Sequence, residues 1–394
     1  MKKILIISQG FWPEIFPINT IVNDLSKSNF SIDILTGYPN YPKGNFFYGY
    51  DYYKVTIIKK FKYRIIRVPI ISRGTNSKFR ILLNYLSFIL SSILIGGFTL
   101  RKEKYDIILV YATSPIFQSY IGIFFKFIKK AKLITWVQDL WPNVLKDTGI
   151  IKNISILNFI KIFVKYIYNC NDLLLAQSLS FQKVIKKLTK TKVKVLYNPG
   201  YSEKKISKIK FKRTINILYA GNIGNAQPWK KLLNFLNSKE FNKINFTICG
   251  EGQKFDYIKD YILKNNIKNI FISGFLKGRK LEDQYKRNNF LLIMLKAGKD
   301  LNKTIPSKFQ TYLFYNKPIL ALSDGEVYKF IKKFNLGFAA RSNNIKEYKE
   351  MFHKVKTLNK KQYDKIAINT KKFYTKNFSQ KVINKKLINE IIKI

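Results

Sequence analysis

Short apolar runs alternate with longer helical patterns along almost the whole chain, and the alternation stops once and then restarts. This rhythm constrains the fold more than any other feature. Strand–helix–strand units in series close into parallel α/β sheets. The first series places strands at Ile4–Ile7, Ser31–Leu35, Arg64–Val68, Ile107–Val110, Leu133–Val137, Leu173–Ala176 and Val193–Leu196. Helical patterns fill most of the gaps, among them Asn19–Ser28, Lys78–Leu100, Ile116–Lys129 and Ile154–Tyr168. At "NPGYSEKKISKIKFKR", Asn198–Arg213, Pro, Gly and dense charge break the pattern and read as a linker. The second series places strands at Ile215–Tyr219, Asn245–Cys249, Ile270–Ser273, Phe290–Met294, Pro318–Leu322 and Gly337–Ala340. Its helices fall at Pro228–Asn237, Phe255–Lys264, Gly278–Arg287, Ser307–Tyr315 and Val327–Phe334, and the tail from Ile345 reads as helices. A chain of 394 residues is long for one core, so two doubly wound domains are expected. Their bounds are 1–200 and 201–375, followed by a terminal helix, 376–394.

Ligands of open α/β sheets bind beyond the carboxyl ends of the strands. Three such ends in the first half are unusual: "SQGFWPEIFPIN" (Ser8–Asn19), "TGYPNYPKGNFFYGY" (Thr36–Tyr50) and "VQDLWPNVLKDTG" (Val137–Gly149). Aromatic rings beside hydrogen-bonding groups suit a sugar, which has apolar faces and a polar rim. Trp, Tyr and Pro also stiffen ordinary loops. Three such loops on one sheet edge favour a site, with Glu14, Asn19, Tyr38, Asn40, Gln138 and Trp141 as its candidates. Asp139 follows a buried strand directly. It suits orienting an acceptor hydroxyl or stabilising positive charge on a sugar ring, or else capping the next turn.

In the second half, "INILYAGNIGNAQPWKKLL" (Ile215–Leu233) outlines a strand, a tight turn at Gly221 and Gly224, and a helix opened by Pro228. Such corners hold phosphates. Here the loop carries Asn222 and Gln227 in place of cations. "CGEGQKFDYI" supplies Gly250, Glu251 and Gly252, where backbone can approach a base or ribose. In "KTIPSKFQTYLFYNKPILALSDGE" (Lys303–Glu326), Pro306 and Ser307 open a helix whose free N–H groups face the cleft. Lys308 lies in its first turn, where the helix dipole disfavours a cation unless an anion joins it. Lys308 is therefore expected to reach across the cleft and carry the charge that the Gly221 loop lacks. That loop would contribute backbone N–H and amide donors.

Lys and Arg number 72 against 23 Asp and Glu, a net charge of +49. The surplus implies an anionic partner, or simply reflects a composition rich in Lys, Asn, Ile, Phe and Tyr. The 2 cysteines, Cys170 and Cys249, form no CxxC pattern, and the one histidine, His353, lies in a charged stretch near the C-terminus. Neither a disulfide framework nor His-based triads or metal cages are expected. "MKKILIISQGFW" starts like a signal peptide, but its apolar run is short and reads as a first strand. Ile81–Leu100 is uncharged and long enough to span a membrane. Asn84, Ser87 and Ser91 share one helical face, and a span would separate two strands of one sheet. A non-spanning helix, buried or dipped into a bilayer surface, is expected.

As an ordered set, "FWPEIFPIN", "LTGYPNYPKG", "WVQDLWP", "YAGNIGNAQ", "CGEG" and "TIPSKFQTYLFYNKPILALSDGE" resemble the family 4 retaining glycosyltransferases of the two-Rossmann GT-B type. The branch resembled is the one that transfers N-acetyl-L-fucosamine-like sugars in O-antigen, capsule and colanic-acid assembly. The resemblance implies two Rossmann-like domains facing a central cleft. The first binds an acceptor, the second binds a nucleotide-sugar donor, and the terminal helix packs back on the first. It implies a UDP-linked donor, a polyprenyl-diphosphate-linked saccharide acceptor, no metal or other cofactor, and no nucleic acid. It implies a cytoplasmic enzyme held peripherally at the anionic inner face of the cytoplasmic membrane. Asp139 and Lys308 would be catalytic. Gly221, Asn222, Gly224, Gln227, Gly250, Glu251, Gly252, Pro306, Ser307, Gln310, Thr311 and Glu326 would hold the donor. The chain departs from the wider family at Asn222 and Gln227, at Lys303 and Thr311 where an E-x7-E pair is common, and at Gln138 where His is common. Two other readings stand beside this one: a UDP-HexNAc epimerase of GT-B fold, and a basic nucleic-acid-binding protein without catalysis.

Overall fold

In the first half the apolar runs form strands whose alternate residues enter two different cores, as the two-residue period of a strand requires. The computed structural model describes residues 1–50, 53–59, 62–75, 77–147, 149–200, 211, 213–238, 241, 244–298 and 301–394. Two compact units result, Met1–Tyr197 with Ile383–Ile394, and Asn198–Val382. The expected linker falls mostly outside the described residues.

The first unit contains β1 (Lys2–Ile7), α1 (Pro17–Leu25), β2 (Phe30–Gly37), β3 (Thr56–Ile58), β4 (Arg64–Val68), α2 (Lys78–Ser91), α3 (Gly97–Thr99) and β5 (Ile107–Ala112). It continues with α4 (Ser119–Lys129), β6 (Lys132–Val137), α5 (Asn143–Asp147), α6 (Ile154–Asn169), β7 (Leu173–Ala176), α7 (Leu179–Lys186) and β8 (Val193–Val195). The sheet order is β3-β4-β2-β1-β5-β6-β7-β8, parallel except for the β3–β4 pair. The strand order reverses beside β1, between β2 and β5. Leu5 and Ile7 face a core shared with Phe88, Phe125 and Val164 of α2, α4 and α6. Ile4 and Ile6 face the opposite core, shared with Ile18 and Ile21 of α1. Ile383, Leu387 and Ile391 of the C-terminal helix enter that second core at fourfold spacing, each contributing roughly 2 kcal/mol by burial. Asn384 donates to Asp24 at 2.7 Å on the same face.

Several expected helices shift at an end by a residue or more, Ile116–Gln118 is a 3₁₀ turn ahead of α4, the helix expected from Pro228 begins at Trp229 with Pro228 as its cap, and two helices differ further. The first begins at Pro17, whose fixed φ suits the opening position, and not at Asn19. The helix expected over Lys78–Leu100 is continuous but passes through a π turn, Ser92–Gly96, between α2 and α3. It joins β4 to β5 within one sheet, and its Gly96 packs against Leu35 and Val68 of that sheet.

The second unit contains β9 (Ile215–Ala220), α8 (Trp229–Leu236), β10 (Ile244–Cys249), α9 (Phe255–Lys264), β11 (Ile270–Ile272), α10 (Gly278–Arg287), β12 (Phe290–Met294), α11 (Ser307–Phe314), β13 (Ile319–Leu322), α12 (Glu326–Phe334), β14 (Gly337–Ala340), α13 (Ile345–Lys356) and α14 (Lys360–Asn377). The last helix, α15 (Gln380–Ile392), carries the chain to the first unit. The second sheet is parallel with order β11-β10-β9-β12-β13-β14, and its order reverses beside β9.

Candidate active site

Each sheet presents its unusual loops at the carboxyl end of its strands. In the first unit these loops are locked together by a buried carboxylate. Glu14 Oε1 accepts the backbone N–H groups of Asn40 (2.8 Å) and Tyr41 (2.6 Å). This ties the loop after β1 to the loop after β2. Asn19 closes the first loop by donating to the Glu14 carbonyl (2.6 Å) and accepting from the Trp12 amide (3.2 Å). Asn40 donates to the Tyr38 carbonyl at 2.8 Å, and the buried Tyr38 hydroxyl donates to the Lys54 carbonyl at 2.7 Å. Burial raises the Glu14 pKa, opposed by its two amide donors and the nearby Arg67. Arg67 is fully buried and donates to the carbonyls of Gly37 and Trp12. Glu14, Asn19, Tyr38 and Asn40 therefore come together, but as a clamp on the loops. One oxygen of the Glu14 carboxylate is thus committed to holding the two loops together, a structural duty that the sequence did not indicate.

Asp139 and Trp141 meet around a residue that the sequence did not single out. Ser114, after β5, donates its hydroxyl to Asp139 Oδ2 at 2.7 Å and accepts from Trp141 Nε1 at 3.2 Å. Asp139 also receives the Ser114 backbone N–H, so it clamps β6 to β5 and does not cap its own following turn. Burial raises its pKa against these two hydrogen bonds. Gln138 is fixed by its backbone: its N–H donates to the Ala112 carbonyl (3.1 Å) and its carbonyl accepts from Gln177 (2.8 Å). Tyr85 of α2 lies in the field of Asp139, Tyr41 and Arg73, and burial raises its pKa. The Arg73 guanidinium sits over the rings of Tyr41 (5.4 Å) and Tyr85 (5.6 Å). Gln9, after β1, donates its side-chain amide to Asn84 Oδ1 (2.8 Å) and its backbone N–H to Gln118 Oε1 (3.2 Å); it, Arg73, Tyr85 and Ser114 were missed by sequence reasoning. The signal for Gln9 and Ser114 was the topological reversal beside β1, which places the ends of β1 and β5 side by side. An open pocket of about 520 Å³ lies nearby, lined by Phe46, Tyr53, Ile70, Ile71 and Arg80 among others.

The corner in the second unit is built from glycines packed on backbone. A Cβ at Gly250 (φ +149°) would lie 2.0 Å from the Gly221 carbonyl oxygen, and one at Gly252 would lie 2.6 Å from that of Ile223. Only glycine allows the β9 and β10 loops to approach so closely. Several amides expected to be free are already used. Gly221 N–H donates to Cys249 (2.8 Å), Ile223 N–H to Glu251 (2.8 Å) and Gly224 N–H to Gln227 Oε1 (2.9 Å). The buried Gln227 thus satisfies the loop from within. What the bond spends is the Gly224 N–H and the Gln227 oxygen, so the backbone donors expected of that loop are fewer than the sequence implied.

Lys308 is also placed differently from its expected position. It belongs to the same corner and does not reach in from another side. Its side chain packs over Gly221, where a Cβ would lie 2.1 Å from Lys308 Cε. Its Nζ donates to the Tyr219 hydroxyl at 2.7 Å and sits 4.3 Å from the centroid of that ring. Tyr219 in turn donates to the Asn222 carbonyl at 2.6 Å. Burial pushes the Lys308 pKa down to about 8 and raises that of Tyr219. The residue keeps partial exposure while its ammonium end is enclosed. The structure brings Gly221, Asn222, Gly224, Gln227, Gly250, Gly252 and Lys308 together. Pro306 is the residue before α11, Ser307 is its first, and the Thr311 hydroxyl is spent on the Ser307 carbonyl (3.2 Å). Gln310 and Glu326 are buried residues of α11 and α12, while Glu251 is exposed.

The fold and this corner can be set against known proteins. Residues 202–373 match the family model for glycosyl transferases group 1. A sucrose-phosphate synthase from Thermosynechococcus elongatus superposes with TM-score 0.75 at 11% identity, over 100% of this chain and 99% of that one. Anabaena Alr3699/HepE, solved with UDP and glucose, superposes with TM-score 0.67 at 12% identity over 100% of both chains. The lipopolysaccharide outer core galactosyltransferase WaaB in its apo form gives TM-score 0.65 at 14% identity, over 99% of each chain. No curated protein sequence matches. The fold is GT-B, and the chain carries a group 1 glycosyltransferase domain. Residues 202–373 are thus a glycosyltransferase domain, set in a fold that the solved neighbours share over almost their whole length.

Proposed function

We propose that the protein is a family 4 retaining glycosyltransferase of the N-acetyl-L-fucosamine-type branch. It moves an N-acetylated amino or deoxy sugar from a UDP-linked donor to a saccharide carried on polyprenyl diphosphate. The product feeds O-antigen or capsule synthesis at the cytoplasmic face of the membrane, and no metal takes part. The second unit holds the donor and the first holds the acceptor.

One observation carries this reading. A lysine is enclosed at a glycine corner within the segment matched to the family, and the partner that its Nζ reaches is the hydroxyl of Tyr219. A cation held this way gains from an incoming anion. In the proposed step the acceptor oxygen bonds to the anomeric carbon as the bond to the diphosphate oxygen breaks. The acceptor proton passes to that departing oxygen on the same face, and Lys308 stabilises the charge that develops there. Asp139 orients the acceptor hydroxyl or stabilises the positive ring. HepE, whose structure contains UDP and glucose, supports the choice of nucleotide by fold likeness.

A thermal-shift screen against UDP, GDP and their sugars tests the donor, followed by UDP release with lipid-linked acceptors. A shift with UDP-HexNAc and acceptor-dependent release are expected. An epimer formed from UDP-HexNAc without acceptor would replace the transferase reading with the epimerase one. DNA binding with no response to nucleotide sugars would remove both.

A further inference from the structure

We infer that α2, α4 and α6 of the first unit form a docking face for an anionic lipid bilayer, with α2 lying in the plane of the interface. The main observation is that α2 is amphipathic the wrong way round. Two series of residues run along α2 and its continuation at fourfold spacing, offset by two positions and so on opposite sides of the helix. The inner series is Asn84, Phe88, Ser92 and Gly96, and the outer one is Leu82, Leu86, Leu90, Leu94 and Phe98. Asn84 is 1% exposed and Ser92 0%, whereas Leu90 is 59% exposed and Leu94 69%. Most of the inner side is therefore polar or small, while the outer ridge, about 24 Å long, is wholly apolar.

The ridge continues sideways. Gly97 of α3 rests against the Phe124 ring of α4, and Tyr120 of α4 stacks on Tyr166 of α6 at 6.2 Å. On α6, Ile156, Phe159, Phe163 and Tyr166 are exposed at helical spacing, while Leu157, Val164 and Ile167 fill the core beneath. A surface helix of a water-facing protein carries apolar residues on one side. This one carries them on both.

Charge identifies the occupant. Residues 78–102, 107–138 and 149–171 contain no Asp or Glu, while Arg101, Lys130, Lys161 and Lys165 are exposed around the apolar area. An apolar centre with an acid-free basic surround complements anionic headgroups over acyl chains. Among the described residues Lys78–Thr99 is the only helix long and apolar enough to cross a bilayer. Crossing would put β4 and β5 on opposite sides, although one sheet joins them through β2 and β1. The polar side of α2 also reaches the candidate site, since Asn84 accepts from Gln9 at 2.8 Å and Tyr85 lies beside Arg73. The purpose of the face, bringing that site to a lipid-linked acceptor, rests on the proposed function. The observations do not.

The test uses the full chain and sedimentation with vesicles of phosphatidylcholine, with and without 30% phosphatidylglycerol. At least tenfold stronger binding to the anionic vesicles is expected, released by high salt or alkaline extraction. Leu86→Glu/Leu90→Glu/Phe159→Glu, all at exposed positions, is expected to lose binding at least tenfold with unchanged melting temperature. Lys161→Glu/Lys165→Glu, which leaves the apolar ridge intact, is expected to lose roughly thirtyfold or more, on anionic vesicles only. Unchanged binding in both variants overturns the proposal. So does retention after alkaline extraction, which means a span. A wild-type dimer that the triple variant converts to monomer also overturns it, since a second copy is then the occupant. UDP-induced thermal shifts measured on the same samples keep the two readings apart. Vesicle binding without a UDP shift sinks only the UDP-donor reading, and the reverse sinks only the docking face.

Discussion

Both units bury an ionisable group where loops leave a strand, and the two groups are held in opposite ways. Glu14 in the first unit has dedicated partners: two backbone amides donate to one of its oxygens and Arg67 stands close, although burial still raises its pKa. Lys308 in the second unit donates to the hydroxyl of Tyr219 and loses basicity to burial. A buried charge with dedicated partners is part of the architecture, since removing it strands those partners. A buried cation whose nearest partner is a neutral hydroxyl costs stability, and the cost is recovered when an anion arrives. The kind of partner thus separates a carboxylate held by protein donors from an amine that an incoming anion would stabilise. Asp139 lies between the two. Ser114 satisfies it in part, and its pKa is raised.

The sharpest way to break this contrast is Lys308→Ala. If the amine stabilises the departing diphosphate, turnover falls by about 10²–10³-fold, the range seen when one preorganised donor is lost. The melting temperature should stay level or rise, because an enclosed cation has been removed. Steady-state kinetics beside a thermal melt decides it, and a large drop in stability with intact turnover reverses the roles.

Glu14→Ala should behave in the opposite way. The Asn40 and Tyr41 amides lose their acceptor, and Arg67 loses its nearby carboxylate. A stability loss of roughly 2–3 kcal/mol is expected from stranded buried groups, read from urea unfolding. The UDP-induced stabilisation proposed for the other unit should survive.

pH separates the two groups by sign. Lys308 titrates near 8 in the folded chain against 10.5 as a free side chain. Between those values the unfolded state binds more protons, so this group adds stability as pH rises from 8 towards 10.5. The full difference corresponds to about 3 kcal/mol, less what solvent still reaching this partly exposed residue removes, and the rise should vanish in Lys308→Met. Glu14 and Asp139 have raised pKa values, so the folded state keeps their protons longer. Their contribution is largest below the usual carboxylate range and is lost as pH climbs through the raised values. Unfolding curves from pH 4 to 10 on the wild type, Lys308→Met and Glu14→Gln separate these slopes.

The sequence carried the strands well and the partners poorly, and the reason is range. Leu173–Ala176, Phe290–Met294 and Gly337–Ala340 were legible to the residue, because continuous apolar runs bounded by turn residues are a local signal, and Arg64–Val68 was legible from Ile65, Ile66 and Val68 despite its two arginines. β3, three residues long and antiparallel, left no such signal. The proximity of Lys308 to Tyr219, of Ser114 to Asp139 and of Glu14 to Tyr41 depends on which strands become neighbours. Periodicity does not encode that order. The inverted α2 was half legible: Asn84, Ser87 and Ser91 marked a polar face, but only the sheet shows that this face is the buried one.

The smallest expected effect concerns the uncharged loop itself. Gln227 occupies the place where a cation is common in the wider family, and it accepts the Gly224 amide from within the loop. The Gly224 N–H is therefore already satisfied without a ligand, whereas the Lys308 ammonium beside it meets a neutral hydroxyl. Gln227→Ala should cost about 1 kcal/mol, the net worth of one such hydrogen bond with some water able to replace it. It should also release the Gly224 N–H towards any phosphate present. If the charge at this corner is carried by Lys308 and the loop serves only as a rigid wall, UDP affinity measured by calorimetry should change by less than about threefold, under 1 kcal/mol. A loss comparable to that of Lys308→Ala would mean that Gln227 itself touches the donor. The contrast between a self-satisfied loop and an enclosed amine would then have to be redrawn.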